Sequence, residues 1–345
     1  MKIVVLNAGS SSLKCKIFEF PSKKLLYTQE IEKIGEHGSP IRSHAEALEA
    51  LDIDFSVIDI IGHRVVHGGE KLQESVLIDE DVIATIKDLI PLAPLHNPAN
   101  LKGIEVARQK APSTPQVAVF DTAFHATLQK EAYIYALPYE LYEKEGIRRY
   151  GFHGTSHSYL AKAAAKELQK ELHEINIITL HLGNGASACA IKKGKSIDTS
   201  MGFTPLEGLV MGTRCGDLDP EILLYMQREL HKSTQDVEHI VNYESGLKGI
   251  CGEKDLREIL DRSDEKAKLA LDIMVRRIQK YIGAYMVLLE DVDAIVFSGG
   301  IGEHSEEIRH RVMDNKFFKN IKMLVIQTDE ELEIANESYR VVKGE

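Results

Sequence analysis

Short apolar runs alternate along the chain with segments whose apolar residues have helical spacing. Lys2 to Leu6 is apolar and rich in β-branched residues, and Asn7 to Ser12 is small and polar. Leu13 to Ile17 then alternates apolar and polar residues with a period of two, which is typical of a strand with one buried face. The N-terminus is therefore predicted to form a strand, a polar turn and a second strand.

The same pattern predicts strands and helices over the rest of the chain. Apolar runs predict strands over 57–61, 117–120, 175–182, 294–297 and 323–326. Helical spacing predicts helices over 42–51, 79–89, 100–110, 156–172, 221–230, 236–243, 265–289 and 305–312, and an acidic helix from about residue 329. Asn97 or Asn100 is expected to cap the helix that ends at Lys110. Strands and helices in this order indicate an α/β protein.

The unit of strand, turn and strand occurs twice. A constant offset of 174 places Leu6 on Leu180, Gly9 on Gly183, Cys15 on Cys189 and Ile17 on Ile191. Each copy ends an apolar strand and begins an alternating one. This correspondence predicts a duplicated domain.

Composition narrows the class of protein. A length of 345 residues suits two domains or one large one. A net charge of -11 argues against a nucleic-acid partner or an anionic membrane surface. The four cysteines have no C-x-x-C spacing, which argues against a zinc ribbon or a disulfide framework, and no run is long enough for a membrane span. A cytoplasmic protein is expected.

Two glycine-containing turns are candidate phosphate sites. Asn7 to Ser12 offers hydroxyls and backbone N–H groups, although an ordinary hairpin would look the same. Ser298 to Ser305 joins a strand to a helix through glycines, as an adenosine or phosphate site would. The spacing Gly183-x-Gly185-x-x-Ala188 imitates a dinucleotide fingerprint but leads into a predicted strand, so a dehydrogenase is rejected.

Arginine, histidine and carboxylate side chains supply the candidate chemistry. Arg64 and Arg214 lie in glycine-rich segments and suit an anion clamp, the alternative being surface salt bridges. The pairs His63/His67 and His153/His157 have a spacing of four, but neighbouring glycines disfavour the helix that a zinc site would need. Asp121 and Glu330 or Glu331 suit a magnesium shell or, alternatively, helix caps.

Several common motifs of phosphate and acyl transfer do not occur in the sequence. It has no G-x-x-x-x-G-K-[ST] P-loop, no H-R-D or D-F-G set and no G-x-S-x-G elbow. The duplicated turns at Asn7 to Ser12 and His181 to Gly185, with fixed positive groups near them, therefore indicate phosphoryl transfer outside the P-loop and protein-kinase classes.

As a set, eight segments resemble the acetate kinase family of the actin, sugar kinase and Hsp70 superfamily. They are LNAGSSSLK at 6–14, GHRVVHGG at 62–69, APLHNP at 93–98, FDTAFH at 120–125, RYGFHGTSH at 149–157, HLGNG at 181–185, MGTR at 211–214 and GIGE at 300–303. They occur in the order of that family and span nearly the whole chain.

The resemblance implies a fold, a reaction and partners. The fold would be α/β, with two duplicated ribonuclease H-like domains of the actin-like ATPase type and a central catalytic cleft. Residues 1–124 with 332–345 would form the N-terminal domain, and 125–331 the C-terminal, nucleotide-binding domain. The activity would be reversible transfer of a phosphoryl group from ATP to acetate, giving acetyl phosphate and ADP, with Mg²⁺ or Mn²⁺, in a homodimer.

The resemblance also implies roles for individual residues. Asn7 and Glu330 would organise the metal, and Asp121 would be an essential acidic residue near metal and substrate. Arg64 and Arg214 would hold the carboxylate and the phosphoryl group, and His153 would stabilise that group in transfer, with His157 structural. The methyl pocket would comprise Val66, Leu95, Phe152 and Pro205. The nucleotide would contact Lys14, His181, Asn184, Gly185, Asp255, Arg257, Gly300, Ile301 and His304.

Three departures and two alternatives accompany this resemblance. The family usually has asparagine where His304 and Asp329 stand, and the chain is shorter than usual between Lys14 and Gly62 and near the C-terminus. Propionate kinase has the same chemistry, and one methylene in an apolar pocket is worth only about 1–3 kcal/mol. An ATP-driven switch protein such as actin or Hsp70 is the alternative from another class, but it needs no small-carboxylate site.

Overall fold

The computed structural model describes residues 1–9, 12–35, 38–94 and 96–344. Contacts divide the chain into two compact units. Unit 1 comprises Met1–Ala126, His153–Tyr159 and Asp329–Glu345, and unit 2 comprises Thr127–Phe152 and Leu160–Thr328. The domain boundaries given above stay a prediction.

Strands and helices alternate, as the sequence predicts. The strands are β1 (Lys2–Ala8), β2 (Leu13–Glu19), β3 (Lys24–Ile31), β4 (Ile60–Val65), β5 (Val76–Leu77), β6 (Gln116–Phe120), β7 (Asn176–Leu182), β8 (Ala186–Lys192), β9 (Lys195–Thr199), β10 (Ala294–Ser298) and β11 (Lys322–Val325). The helices are α1 (His44–Glu49), α2 (Glu80–Asp88), α3 (Asn97–Lys110), α4 (Lys130–Tyr133), α5 (Tyr139–Glu145), α6 (Gly154–Leu168), α7 (Glu221–Arg228), α8 (Thr234–His239), α9 (Gly246–Cys251), α10 (Leu256–Leu260), α11 (Glu265–Leu289), α12 (Gly299–His304), α13 (Glu306–Met313) and α14 (Glu330–Lys343). In the part of the chain that is described, no helix combines the length and apolar composition needed to cross a membrane.

The sheet of unit 1 has the order β3-β2-β1-β4-β6-β5. β1, β4 and β6 run parallel, and β2 and β3 are antiparallel to their neighbours. Ile3 and Val5 of β1 pack on one face with α14, whereas Val4 and Leu6 pack on the other face with residues of α1 and α3. Because alternate residues of a strand point to opposite faces, β1 is apolar from Ile3 to Leu6 and lies between two hydrophobic layers.

The sheet of unit 2 has the order β11-β10-β7-β8-β9. β7, β10 and β11 are parallel, and β8 and β9 continue the sheet in antiparallel fashion. The long helix α11 packs on β7 and β8. The order and directions match those of β6-β4-β1-β2-β3, so the predicted α/β fold with a duplicated domain is confirmed.

The repeat requires one correction. An offset of 174 carries the whole of β1 onto β7, but the pairing of the second strands differs by one position. Leu6 pairs with Cys15 in the first hairpin, whereas Leu180 pairs with Ala188 in the second. The prediction that Cys189 and Ile191 correspond to Cys15 and Ile17 is therefore wrong, because the second hairpin has a turn one residue shorter.

Three predicted details of helices are also wrong. Asn97 and Asn100 lie inside α3, which begins without a side-chain cap, and their side chains bond to other segments instead. The strand that ends at Ser298 leads directly into α12, whereas the sequence predicted no helix before residue 305. The glycines of α12 do not show the apolar spacing by which helices were predicted. α6 begins at Gly154, two residues before the predicted start.

Helix α14 lies directly against the sheet of unit 1 at Gly62 in β4. A Cβ atom on Gly62 would lie 2.5 Å from Ser338 Oγ and 3.0 Å from Ile334 Cγ2. Real Cβ atoms do not approach other atoms so closely, so a side chain here would push the helix away from the strand. The absence of a side chain at position 62 thus sets the distance between β4 and α14.

We predict that Gly62→Ala lowers the free energy of unfolding by about 1–3 kcal/mol, the usual cost of overpacking a core. Urea unfolding followed by circular dichroism measures this change. Adding Ser338→Ala should recover part of the loss, because it removes the nearest atom.

Gly103→Ala is the matched control. Gly103 lies in α3, and a Cβ atom there would meet nothing within 4 Å. Alanine should leave stability unchanged or raise it by about 0.5–1 kcal/mol, because it favours the helix. Equal effects of the two substitutions would show that Gly62 does not set the packing distance.

Candidate active site

Three predicted site residues of unit 1 meet at the carboxyl ends of parallel strands. Asn7 is near the end of β1, Arg64 near the end of β4, and Asp121 directly follows β6. The register pairs Leu6 with His63 and Arg64 with Val119, which brings the three side chains to one edge of the sheet. Ligands of open α/β sheets bind at this edge, so the site has the expected position in the fold.

Arg64 is the centre of a hydrogen-bond network. Its Nε and Nη2 atoms donate to the carboxylate of Asp121, the shortest distance being 2.6 Å, and Nη1 donates to Asn7 Oδ1 at 3.1 Å. A guanidinium has five N–H groups, so two remain without a partner among the described residues. Burial disfavours the charge of Arg64, but Asp121 raises its pKa above the usual value. Arg64 is thus a fixed cation with two free donors.

The start of α14 adds carboxylates to this network. Asn7 Nδ2 donates to Glu331 Oε1 at 2.9 Å, and Lys16 Nζ contacts Glu331 Oε2 at 3.0 Å and Asp329 Oδ1 at 2.9 Å. Burial, opposed by Arg64 and reinforced by Asp121 and Glu331, raises the pKa of the half-buried Glu330 to about 7. Negative charge is therefore crowded at Glu330, where a cation would relieve it.

The segment after β4 is fixed by the two asparagines of α3. Asn100 accepts from Val66 N at 3.1 Å and donates to Ala8 O at 2.8 Å, while Asn97 accepts from His67 N at 3.2 Å. Both asparagines are buried. Asn100 therefore ties the ends of β1 and β4 together, and Asn97 fixes the residue that follows Val66; their place at the start of a predicted helix did not indicate these roles.

His153 is held close to Asp121 through the next residue. Its φ of 55° lies in the left-handed region, and the Gly154 N–H donates to Asp121 O at 2.9 Å. A Cβ atom on Gly154 would lie 2.1 Å from that oxygen, so only glycine fits. Thr155 Oγ1 also contacts Asp121 Oδ1, at 3.3 Å. His157 is fully buried, as a structural histidine would be.

In unit 2, the second hairpin turn contacts the loop that contains Arg214. His181 is near the end of β7, and Gly183 N donates to Gly185 O within the turn. Gly212 N donates to Asn184 O at 3.2 Å. The predicted nucleotide-contacting residues of this turn therefore lie beside the predicted phosphoryl-binding loop.

Arg214 contrasts with Arg64. Its Nη1 atom donates to Pro205 O at 2.6 Å, and no carboxylate of the described residues forms an ion pair with it. Burial lowers the pKa of this guanidinium from its usual value. A half-buried arginine without a countercharge is suited to bind an anion.

Gly300 and Ile301 lie in α12, which packs on β7 after the strand β10. Ser298 of β10 is beside His181 of β7 in the parallel register. Glu303 Oε1 accepts from Gly299 N at 3.0 Å and Thr328 N at 3.2 Å, which fixes this loop. The predicted adenosine residues are thus next to the phosphate turn of the same unit.

The other predicted residues are less closely connected. Asp255 caps α10 and bonds to the exposed Arg257, His304 is exposed at the end of α12, and Lys14 pairs with Glu30 at 3.3 Å. Val66 and Phe152 are buried, Val66 in unit 1 and Phe152 in unit 2, where Pro205 also lies. Leu95 lies outside the described residues, as do Ser10 and Ser11 of the first turn.

Arg149, the first residue of the RYGFHG stretch, and Arg148 before it have structural partners. Arg149 donates to Thr199 O and Met201 O and pairs with Glu207 at 2.8 Å. The Arg148 guanidinium lies 3.5 Å from the centre of the Tyr133 ring. These contacts fix the segment that leads to His153 and explain why it needs two adjacent arginines.

Two functional candidates, Lys16 and Glu303, were missed by the sequence prediction. Lys16 bonds to Glu331, which the sequence offered beside Glu330 as a magnesium ligand, and Glu303 fixes the loop that begins at Gly299. Lys16 looks like any polar position of an alternating strand. Glu303 follows the glycines of the predicted adenosine loop, which was the one available signal.

The donor atoms fit magnesium better than zinc. Within residues 1–9, 12–35, 38–94 and 96–344, no group of three or more His, Cys, Asp or Glu side chains could hold a metal ion. Magnesium takes few protein carboxylates and completes its shell with water and substrate phosphate oxygens. Glu330, with its crowded negative charge, and Asn7 Oδ1, which has one lone pair beyond its bond to Arg64, suit this manner of binding.

Comparison with known proteins gives consistent results. The profile of the Acetokinase family matches residues 27–343. The acetate kinase of Sulfurimonas denitrificans is 52% identical over 389 positions, covering 100% of both chains. Among solved structures, the acetate kinase of Porphyromonas gingivalis has a TM-score of 0.92 at 39% identity, and a propionate kinase from Francisella tularensis has 0.91 at 41%; each comparison covers 99% of both chains.

The alignment also bears on the length of the chain. With 345 residues in 389 aligned positions, about 44 positions have no residue here. The chain is therefore shorter than this relative, as expected from the family, and the location of the shortening stays a prediction.

Buried His63, next to Arg64, predicts a pH dependence of stability. It contacts Gln116 Oε1 at 2.8 Å, and burial lowers its pKa to about 4. Because an unfolded histidine has a pKa of about 6.5, only the unfolded state gains a proton as the pH falls from 6.5 to 4. Stability is thus lost on acidification, by about 2 kcal/mol from this histidine between about pH 7 and pH 5.

We predict that His63→Gln, whose amide still reaches Gln116, removes about 2 kcal/mol of this acid-induced loss, as measured by urea unfolding at several pH values. His310→Gln is the control, because His310 is exposed in unit 2, and it should leave the pH dependence of the free energy of unfolding unchanged. Parallel pH curves for wild type and His63→Gln would contradict the assignment.

Proposed function

The chain belongs to the acetokinase family, and we propose that it is an acetate kinase, which transfers the γ-phosphoryl group of ATP to acetate and reverses the reaction. The relatives at 52% and 49% identity that carry the name acetate kinase support this function. The single structural observation that carries the proposal is Arg64, a partly buried arginine with a fixed orientation and two N–H groups left for an anion.

The acceptor half of the site belongs to unit 1. The two free N–H groups of Arg64 would bind the acetate carboxylate, and a guanidinium matches a carboxylate with two parallel hydrogen bonds. Asp121 and Asn7 would keep the arginine in position, so its orientation costs nothing during the reaction. Val66, which is buried in unit 1, would contact the methyl group of acetate.

The donor half would belong to unit 2. His181, Asn184 and Gly185 would contact the nucleotide phosphates, and Gly300, Ile301, Asp255, Arg257 and His304 would frame the adenosine. Arg214 is the residue we assign to the transferred phosphoryl group, because no carboxylate among the described residues neutralises it. His153 would donate to the same group.

The chemical step is a direct in-line transfer. A carboxylate oxygen of acetate forms a bond to the γ-phosphorus while the bond from that phosphorus to the β,γ-bridging oxygen breaks, and ADP leaves with both electrons of that bond. Charge is spread over the phosphoryl oxygens in such a transition state, so fixed cations such as Arg64 and Arg214 stabilise it. Exclusion of water would prevent hydrolysis of ATP.

Magnesium is the metal we propose, held by Glu330 and Asn7, with manganese as a substitute. When bound, it neutralises phosphate charge and helps to orient the γ-phosphate. We also propose a homodimer, as in the resemblance, and a cytoplasmic location, where ATP is made.

The test traps the product. Purified protein with ATP, Mg²⁺, acetate and hydroxylamine should give acetohydroxamate, and no product should form without acetate or with excess EDTA. ADP formation at the same rate without a carboxylate would favour a switch ATPase and contradict the proposal.

A second candidate, propionate kinase, is favoured by the Francisella tularensis structure at 41% identity. The same assay compares kcat/KM for acetate, propionate and butyrate. One methylene is worth about 1–3 kcal/mol in an apolar pocket, so the preferred acid should lead by about tenfold or more. Acetate should lead; a lead by propionate would select the second candidate.

We predict that Arg64→Ala and Arg214→Ala each lower kcat/KM for acetate at least tenfold, about 1.4 kcal/mol of transition-state stabilisation. Arg64→Ala also leaves Asp121 buried without its partner, so circular dichroism must show that the variant is folded, and Arg64→Lys serves where it is not.

Arg108→Ala in unit 1 and Arg228→Ala in unit 2 are matched controls. Both arginines form exposed ion pairs, with Glu80 and Glu221. Such pairs contribute little, so both controls should keep wild-type kinetics. Folded site variants with unchanged kcat/KM would remove the arginines from the mechanism.

A further inference from the structure

Lys16, on β2, contacts two carboxylates at once. Its ammonium lies 2.9 Å from Asp329 Oδ1 and 3.0 Å from Glu331 Oε2. The side chains are 24%, 29% and 9% exposed, respectively. Burial alone would lower the pKa of Lys16, but the two carboxylates raise it, so the charge is retained.

Both carboxylates belong to the beginning of α14. Asp329 is the N-cap of that helix and accepts from Leu332 N at 3.1 Å. Glu331 accepts from Asn7 Nδ2 at 2.9 Å, and Asn7 accepts from Arg64 Nη1. A continuous series of bonds therefore runs from Lys16 through Glu331 and Asn7 to Arg64.

Removal of the Lys16 charge would leave two like charges close together. Since both oxygens lie about 3 Å from Nζ, they are no more than about 6 Å from each other. Two partly buried anions at that distance repel each other appreciably. Asp329 is fixed by the N–H of Leu332, so Glu331 is the side chain free to turn away, and it would then release Asn7.

We propose that Lys16 is a positioning residue of the reaction: by neutralising Asp329 it keeps Glu331 bonded to Asn7, and so keeps Asn7 oriented toward Arg64 and the metal. The inference rests on the proposed function for the identity of the reaction and the ion. The bonds themselves are independent of that function.

An ordinary surface salt bridge is the simpler interpretation of the same contacts. Exposed pairs contribute little and have no consequence beyond themselves. Here the lysine is largely buried, one carboxylate is 9% exposed, and that carboxylate also bonds to a predicted metal ligand. A change at Lys16 should therefore alter the reaction and not only the stability.

The experiment compares Lys16→Met with Lys16→Met/Asp329→Asn. The first leaves two uncompensated carboxylates, whereas the second restores the wild-type net charge of the group formed by Lys16, Asp329 and Glu331. Asparagine still caps a helix as well as aspartate does. We expect kcat at saturating Mg²⁺ to fall at least tenfold in the single variant and to return to within threefold of wild type in the double variant.

Three controls separate the effect of the lost charge at position 16 from the effect of a changed side-chain shape. Lys16→Arg keeps the charge and should retain kcat within threefold. Asp329→Asn alone leaves Lys16 on Glu331 and should also stay within threefold. Lys102→Met removes an exposed lysine of the same unit, paired with Glu105, and should have no effect. Equal impairment of Lys16→Met and the double variant would overturn the proposal, because the loss would then come from the side-chain stem.

A binding measurement gives a readout independent of turnover. Free Mn²⁺ is titrated by electron paramagnetic resonance in the presence of ADP and each variant. Lys16→Met releases Asn7, one of the two residues that would hold the metal, so Mn²⁺ should bind more weakly than in wild type, and Lys16→Met/Asp329→Asn should restore the affinity. Equal weakening of Mn²⁺ binding in the single and double variants would contradict the proposal, as would a kcat within twofold of wild type in Lys16→Met. If wild type forms no acetohydroxamate, the proposed function fails, whereas the Mn²⁺ titrations still test the positioning of Glu331.

Discussion

The ion pair between Arg64 and Asp121 is the interaction on which the rest of unit 1 depends. The two side chains are 16% and 2% exposed, and a buried charge is tolerated only with a well-placed partner and further hydrogen bonds. These bonds come from Asn7 of β1 and Thr155 of α6, while the backbone oxygen of Asp121 accepts from Gly154. Strands β1, β4 and β6 must therefore end, and helix α6 must begin, where they do.

The need of a buried charge for a partner also explains how Arg64 and Arg214 differ. Arg64 is neutralised within the protein, and only part of its donor capacity remains for a ligand, which suits a small monoanion such as a carboxylate. Arg214 has a backbone oxygen as its partner and no carboxylate in the described chain, which suits a strongly charged group such as a phosphoryl in transfer. Lys16 extends the argument to α14, because its charge allows Asp329 and Glu331 to lie side by side.

The fold could be predicted from the sequence where periodicity is strong. β1 and β7 are mainly apolar and follow the repeat, so their position and the duplication were predicted. The turn before β8 is one residue shorter than the turn before β2, which changes the register of β8. The hydrophobic pattern does not show this difference. The motif residues Asn7, Arg64 and Asp121 were predicted because glycine and apolar strands mark strand ends. The bonds of Glu331 to Asn7 and to Lys16 join segments more than 300 residues apart, and a single sequence carries no signal for such contacts.

The claim that Asp121 acts by holding Arg64 is tested most directly by a double-mutant cycle of Arg64→Lys and Asp121→Asn, measured as kcat/KM for acetate. If the two residues act as one unit, each single variant should lose most of the activity, and the double variant should be no more than about tenfold below the worse single variant. Losses that multiply fully would contradict the account, because Asp121 would then act independently of Arg64.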